Sequence, residues 1–265
     1  MMRWRGTGRV LGVLLVFMGA QMVSAWAVMF VVSMLRLYGV GEVEMSLTDE
    51  PGLLAWTLIV SSLLTLLVMR CCRWTDRGSF RLRGLTGRCA VVALVWMVPI
   101  MFVVNVLLEW SALEDVNGAL VERLVHNGWG VLAVVLMSPF CEEVVFRMGI
   151  QRHLTVMGMR PQWAIVVTSL LFGLIHANPV QIPGAFVFGI VLGWLYMRSG
   201  TIWLPVGAHV FNNMVSVVLA HAPEGTDTTM VGLCGGTTGA VAAAVVSLVL
   251  IAVGYRYLDK SFARV

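Results

Sequence analysis

The sequence predicts an all-α protein, a polytopic transmembrane helical bundle of about eight spans. Three observations predict it. Hydrophobic residues make up 59% of the 265 and charged residues only 12%, about half the charged share of an average soluble domain. Apolar runs recur along the whole chain, and mean hydropathy is +0.88. The remaining charges alternate in sign from loop to loop. A soluble domain of ordinary size, on the order of 100 residues, has nowhere to fit, so a single membrane domain over 1–265 is expected. The net charge of +4 does not point to nucleic acid, because the placement of the charges has a membrane explanation.

The runs fall at about 10–35, 52–69, 89–108, 128–150, 162–177, 180–197, 201–220 and 238–255. A spanning helix needs roughly 20 mostly apolar residues, and most of the runs qualify. The run at 162–177 is short, and Pro179 and Pro183 blur the start of the next. Placing Arg3, Arg5 and Arg9 on the cytoplasmic side puts Arg70, Arg73, Arg77, Arg81, Arg83, Arg88, Arg152, Arg160, Arg198, Arg256, Lys260 and Arg264 there too. The opposite side receives Glu42, Glu44, Asp49, Glu50, Glu109, Glu114, Asp115, Glu122, Glu224 and Asp227, with only Arg36 and Arg123 basic. This is the positive-inside pattern, and adding or dropping one span would scramble it. A multi-pass protein of the cell membrane with both termini cytoplasmic is expected.

The first run carries a basic start and a small-residue site at Val23-Ser24-Ala25. Its apolar stretch continues to Leu35, beyond the 7–15 residues of a signal-peptide core, so it is read as a span. Cys71, Cys72, Cys89, Cys141 and Cys234 match no zinc ribbon and no redox pair; Cys71 and Cys72 lie near a membrane boundary, where acylation is an alternative, and are read as small apolar filler. Gly189 and Gly193 form a small-xxx-small pair suited to close helix packing.

Chemistry starts with Glu142 and Glu143, adjacent carboxylates inside an apolar stretch, with Arg147 following. A carboxylate in hydrocarbon costs roughly 2.5–3.5 kcal/mol on insertion scales, and such residues mark functional sites by default. Residues four apart share a helix face, whereas neighbours are turned about 100°. Glu143 and Arg147 can therefore pair and serve a structural role. Glu142 points elsewhere and is left as the carboxylate able to exchange protons, the property of a general base.

Two more polar groups interrupt apolar helices. His176 follows Phe172 by one turn, which would let the phenyl ring wall in the imidazole. His209 and Asn213 are also four apart, and both can donate hydrogen bonds, as an oxyanion site requires. Asn212 is expected to turn away as a packing amide. His126, His153 and His221 are expected in loops without a role.

These three groups, Glu142-Glu143…Arg147, Phe172…His176 and His209…Asn213, resemble the motifs of the CAAX-protease and bacteriocin-processing (CPBP, or Abi) intramembrane endopeptidases. That pattern is Glu-Glu-x-x-x-Arg, then Phe-x-x-x-His, then His-x-x-x-Asn or Asp. The similar core covers about 128–220, with the rest alike only in general character. The resemblance implies that Glu142 and His176 activate a water that attacks a peptide carbonyl, while His209 and Asn213 stabilise the oxyanion. It implies peptide or lipid-modified protein substrates reached at the membrane lipid. Eukaryotic members trim prenylated CAAX proteins, and bacterial ones are associated with bacteriocin processing and self-immunity.

One depth does not fit. At ~1.5 Å per residue, Glu142 and His209 lie about 12 Å from the cytoplasmic helix ends, but His176 about 20 Å. Among other readings, a zinc enzyme would use Glu142, His176 and His209 as a His₂Glu site, although no contiguous His-Glu-x-x-His is present and the glutamate mechanism needs no metal. A proton-coupled transporter would suit intramembrane Glu, His and Arg, but no inverted repeat is found. A non-catalytic immunity or scaffold protein would not need the complete motif set.

Overall fold

The computed structural model describes residues 2–38, 50–82, 85–223 and 225–262, with the side chains of 2–7 and 36 left out. The side chains of Arg3, Arg5, Arg36, Glu42, Glu44, Asp49, Arg83, Glu224 and Arg264, which contribute to the charge alternation, lie outside the described set. All regular structure among the described residues is helical. The helices are α1 Met2–Leu37, α2 Pro51–Cys71, α3 Gly87–Trp110, α4 Gly118–Val125, α5 Gly128–Val156, α6 Pro161–Leu174, α7 Gln181–Ser199, α8 Trp203–Ala220, the short α9 Met230–Leu233 and α10 Thr237–Phe262.

Seven of these are long and apolar enough to cross a membrane: α1, α2, α3, α5, α7, α8 and α10. The expected run at 162–177 became α6, an apolar helix of 14 residues, shorter than the roughly 20 of a usual span. Many large apolar side chains face outward, among them Val241, Val245, Leu248, Val249 and Val253 on α10. In water such a surface would aggregate; in hydrocarbon it is the favoured exterior. Helix α4 was not foreseen. It sits inside a stretch read as polar loop, and it forms because Leu124 and Val125 supply a buried edge.

The chain divides into two compact units, 1–76 with 117–158, and 77–116 with 159–265. In the first, α1 and α2 pack against α5. Buried Thr57, Ser61, Ser62 and Thr65 give α2 a stripe of small hydroxyl residues, the composition that lets membrane helices approach closely. Gly149 of α5 has the same use: an added Cβ would stand 2.7 Å from the Met69 side chain and 3.2 Å from Val13.

In the second unit, α3 is central. Cys89, Ala93, Trp96, Met97, Ile100, Met101 and Val104 line its buried face, at helical spacing. They meet Leu192 and Leu195 of α7, Leu204 and Ala208 of α8, and Leu258 and Phe262 of α10. The Trp96 indole donates to the Ile251 carbonyl at 2.9 Å. Helices α6 and α7 run in close contact. A Cβ on Gly189 would lie 2.8 Å from that of Ser169, which bears out Gly189 as a packing residue.

Candidate active site

Helix α5 carries the carboxylates, and it is not uniformly α-helical. Residues Ala133–Met137 and Val144–Gln151 are π-helical. The first wide turn has a local cause. Pro139 lacks an N–H, and in an α-helix its ring would press on the carbonyl four residues back. Immediately upstream, the Ser138 N–H bonds the Ala133 carbonyl instead, which widens the backbone there. The second wide turn follows Glu143, and all eight of its residues are buried. Turns of this kind inside α-helices recur at functional sites.

Glu143 and Arg147 form the expected pair. Arg147 Nε donates to Glu143 Oε2 at 2.7 Å, and both side chains are 0% exposed. A buried pair broken by losing one partner costs about 3–5 kcal/mol. Next to Arg147 in sequence, Phe146 stacks edge-on against Phe17 of α1, with centroids 6.0 Å apart. Glu142 is different: it is only half-buried. Two neighbouring glutamates thus occupy environments of opposite kind, as their 100° separation requires. Cys141 is buried beside Ser62 and Thr65.

The histidines belong to the second unit. His176 lies not on a helix but in the turn just after α6, which ends at Leu174. Its ring folds back over the last helical turn, and Nδ1 stands 2.9 Å from the Phe172 carbonyl. A carbonyl can only accept, so in the neutral ring Nδ1 carries the proton and Nε2 keeps its lone pair. The phenyl ring of Phe172 is 5.1 Å from the His176 ring, at 82°. The same phenyl is 5.8 Å from the His209 ring, at 88°. Phe172 is 2% exposed and His209 8%, so both imidazoles meet one buried aromatic, each in an edge-to-face arrangement that aromatic pairs favour.

Sequence reasoning missed what holds the His176 turn. Ala177 takes φ 49°, a strained region for a residue with a Cβ. Next to it, the fully buried Asn178 donates from Nδ2 to Asp115 Oδ1 at 2.7 Å and accepts from the Val116 N–H at 3.3 Å. The Val180 N–H bonds the Glu114 carbonyl at 3.3 Å. The only signal was an asparagine before Pro179, a common turn pair. Helix α8 is fixed at its start: the Ile202 N–H and Thr201 hydroxyl both donate to the Ser79 carbonyl, and the Trp203 indole donates to that of Phe80.

Asn213 sits one turn after His209 on α8, half-buried. Asn212 corrects an expectation. It does not turn away, since its Nδ2 donates to Asn213 Oδ1 at 3.0 Å. An adjacent residue starts about 100° around the helix, but a two-carbon amide arm is long enough to bend back. His126 and His221 cap the ends of α4 and α8, each with Nδ1 on a backbone carbonyl one turn earlier. His153 lies in the helical end of α5 rather than in a loop. Within each unit, among the described residues, no three His, Cys, Asp or Glu side chains gather as a metal ion would need.

Residues 124–215 match the family described as Rce1-like: type II CAAX prenyl endopeptidase Rce1-like. Glu142, Glu143, Arg147, Phe172, His176, His209 and Asn213 all fall inside it. The chain is 27% identical over 98 residues to a Bacillus subtilis (strain 168) protein named as a membrane peptidase, YdiL, covering 35% of this chain and 38% of that protein. It is 26% identical over 126 residues to CAAX prenyl protease 2 of Arabidopsis thaliana, covering 40% of each. The chain thus spans about two-fifths of the length of the curated relatives it matches. No solved structure matches it.

Proposed function

We propose that the protein is an intramembrane endopeptidase that cleaves CAAX-type, lipid-modified or bacteriocin-like peptide substrates. The observation that carries this reading is the pair of imidazoles held against one phenylalanine ring. Two motifs remote in sequence deliver their histidines to one buried aromatic, inside the stretch that matches a peptidase family. A transporter or an immunity protein has no stated use for such an arrangement.

In this reading Glu142 is the general base. It is half-buried, and the reading requires water to reach it, while the buried arginine is engaged by Glu143. His176 assists with the lone pair on Nε2, since Nδ1 is directed at the Phe172 carbonyl. Base catalysis of this type is worth about 10²–10⁴ in rate. His209 and Asn213 donate to the negative charge that develops on the attacked carbonyl, where one preorganised donor contributes about 10²–10³. Glu143, Arg147 and Phe172 support these groups without touching substrate. The reading requires Glu142 and His176 to share one water.

The Nε2 lone pair of His176 would also suit zinc, with His209 and Glu142 as further ligands. The mechanism proposed here assigns no step to a metal. One experiment addresses activity and metal together. Purified protein in detergent is given a farnesylated peptide ending in a CAAX sequence, with and without a strong chelator. Release of the last three residues is expected in both samples and not from His176→Ala. No release from the wild type on prenylated or bacteriocin-like peptides would remove the peptidase reading. Loss with chelator, restored specifically by zinc, would make these side chains ligands.

The proposed orientation counts α6 with the turn after it as an eighth crossing and so places both termini in the cytoplasm, from the basic and acidic loops. Reporter fusions at residues 78, 115 and 230 should read inside, outside and outside. An outside reading at 78 would reverse the assignment.

A further inference from the structure

We propose that Asn178 is a positioning residue for the reaction: clamped to Asp115, it sets where the His176 imidazole stands. The inference rests on the reading of His176 as the group that assists Glu142. His176 lies in a turn, so helix holds it on one side only. On that side its backbone N–H bonds the Gly173 carbonyl at 3.2 Å, and its Nδ1 is 2.9 Å from the Phe172 carbonyl. On the other side the chain must redirect into α7, and Ala177 makes the change at φ 49°. A residue with a Cβ keeps such a backbone only where its surroundings over-determine it.

Asn178 supplies that constraint through three polar groups. Its main-chain carbonyl accepts from the Gln181 and Ile182 N–H groups, each at 3.0 Å, and so opens α7. Its fully buried side chain grips the segment that follows α3: Nδ2 donates to Asp115 Oδ1 at 2.7 Å, and Oδ1 accepts from the Val116 N–H at 3.3 Å. Both partners have fixed polarity, because a carboxylate oxygen accepts and a main-chain N–H donates. A flipped amide would set donor against donor at Val116, so one orientation is held. Residue 178 is thereby pinned two positions from His176. Without the clamp Ala177 can leave its strained conformation, and the imidazole moves with the turn. A misplacement of about 1 Å is enough to slow an oriented reaction about 100-fold.

Three variants of the full-length protein in detergent test this on the farnesylated CAAX peptide, with kcat per folded molecule, KM and thermal midpoint recorded for each. Asn178→Leu keeps the volume and removes both side-chain hydrogen bonds. It should lower kcat about 30- to 100-fold, with KM within about twofold. Asp115→Ala changes an exposed residue and should fold. It leaves the Val116 bond in place, and kcat should fall about 5- to 10-fold at nearly constant KM. The third variant exchanges the partners, Asp115→Asn together with Asn178→Asp. The amide at 115 then donates to the carboxylate at 178, which still accepts from Val116, and kcat should return to within about threefold of wild type.

Wild-type kcat per folded molecule in Asp115→Ala, or in Asn178→Leu, would overturn the proposal and leave the tie as fold stability alone. A raised KM at unchanged kcat would do the same, since it would move the effect from the base to substrate binding. An exchanged pair that folds but stays as slow as Asn178→Leu would also overturn it. Wild-type kcat for His176→Ala would instead overturn the reading of His176 on which the proposal stands.

Discussion

The carboxylate region and the histidine region put their polar groups into an apolar protein in contrasting ways. Glu142, Glu143 and Arg147 lie on one helix, and the Glu143–Arg147 contact at 2.7 Å is a local consequence of four-residue spacing. Phe172, His176, His209 and Asn213 come from α6, the turn behind it and α8. The three rings of Phe172, His176 and His209 meet through contacts of 5.1 and 5.8 Å rather than through an ion pair. The first region is held by strong, short-range electrostatics inside a fully buried turn. The second is held by weaker aromatic contacts, worth about 0.5–1.5 kcal/mol per pair beyond burial, and by backbone ties at its edges. Damage to the Glu143–Arg147 pair should therefore appear as lost protein, and damage to the second region as lost rate.

The largest expected effect tests the first half of that contrast. Arg147→Ala leaves Glu143 as a buried charge without its partner, at a cost of about 3–5 kcal/mol. Abundance in the membrane and the thermal midpoint in detergent should both fall sharply. Unchanged abundance and midpoint would mean that the pair does not hold α5 together.

A smaller effect tests the second half. Phe172→Leu keeps most of the volume of a 2% exposed residue but removes the ring that both histidines meet edge-on. Losing contacts of about 0.5–1.5 kcal/mol each should reduce kcat several-fold, with the thermal midpoint nearly kept. A collapse in stability with turnover per folded molecule intact would make Phe172 ordinary packing and sever it from the site.

The same contrast explains what could be read without coordinates. The Glu143–Arg147 pair followed from periodicity alone, because one helix contains both ends. Seven of the eight expected spans followed from hydropathy. The short length of α6 was visible in the 162–177 run, but its consequence was not. His176 falls just outside the helix, and its reach depends on a ring folded back onto Phe172. The Asn178–Asp115 tie joins segments far apart in sequence and has no local signature beyond the asparagine before Pro179. Asn212 was misread because a rotation of 100° was applied to the Cα–Cβ direction, whereas the amide nitrogen sits further out and can bend back. The π-helical turns escaped because Pro139 signals a disturbance without saying how the backbone absorbs it.

The central claim is that adjacent glutamates divide the work, Glu142 reacting and Glu143 holding the helix. The most direct measurement sets Glu142→Gln beside Glu143→Gln. Each variant is purified in the same detergent, its thermal midpoint recorded and its cleavage rate expressed per folded molecule. Glu142→Gln should keep the wild-type midpoint and lose about 10²–10⁴ in kcat. Glu143→Gln should lower the midpoint by weakening the pair with Arg147, while the fraction that folds still turns over. Wild-type turnover by Glu142→Gln, or a Glu143→Gln variant that is fully stable yet inactive, would contradict the division.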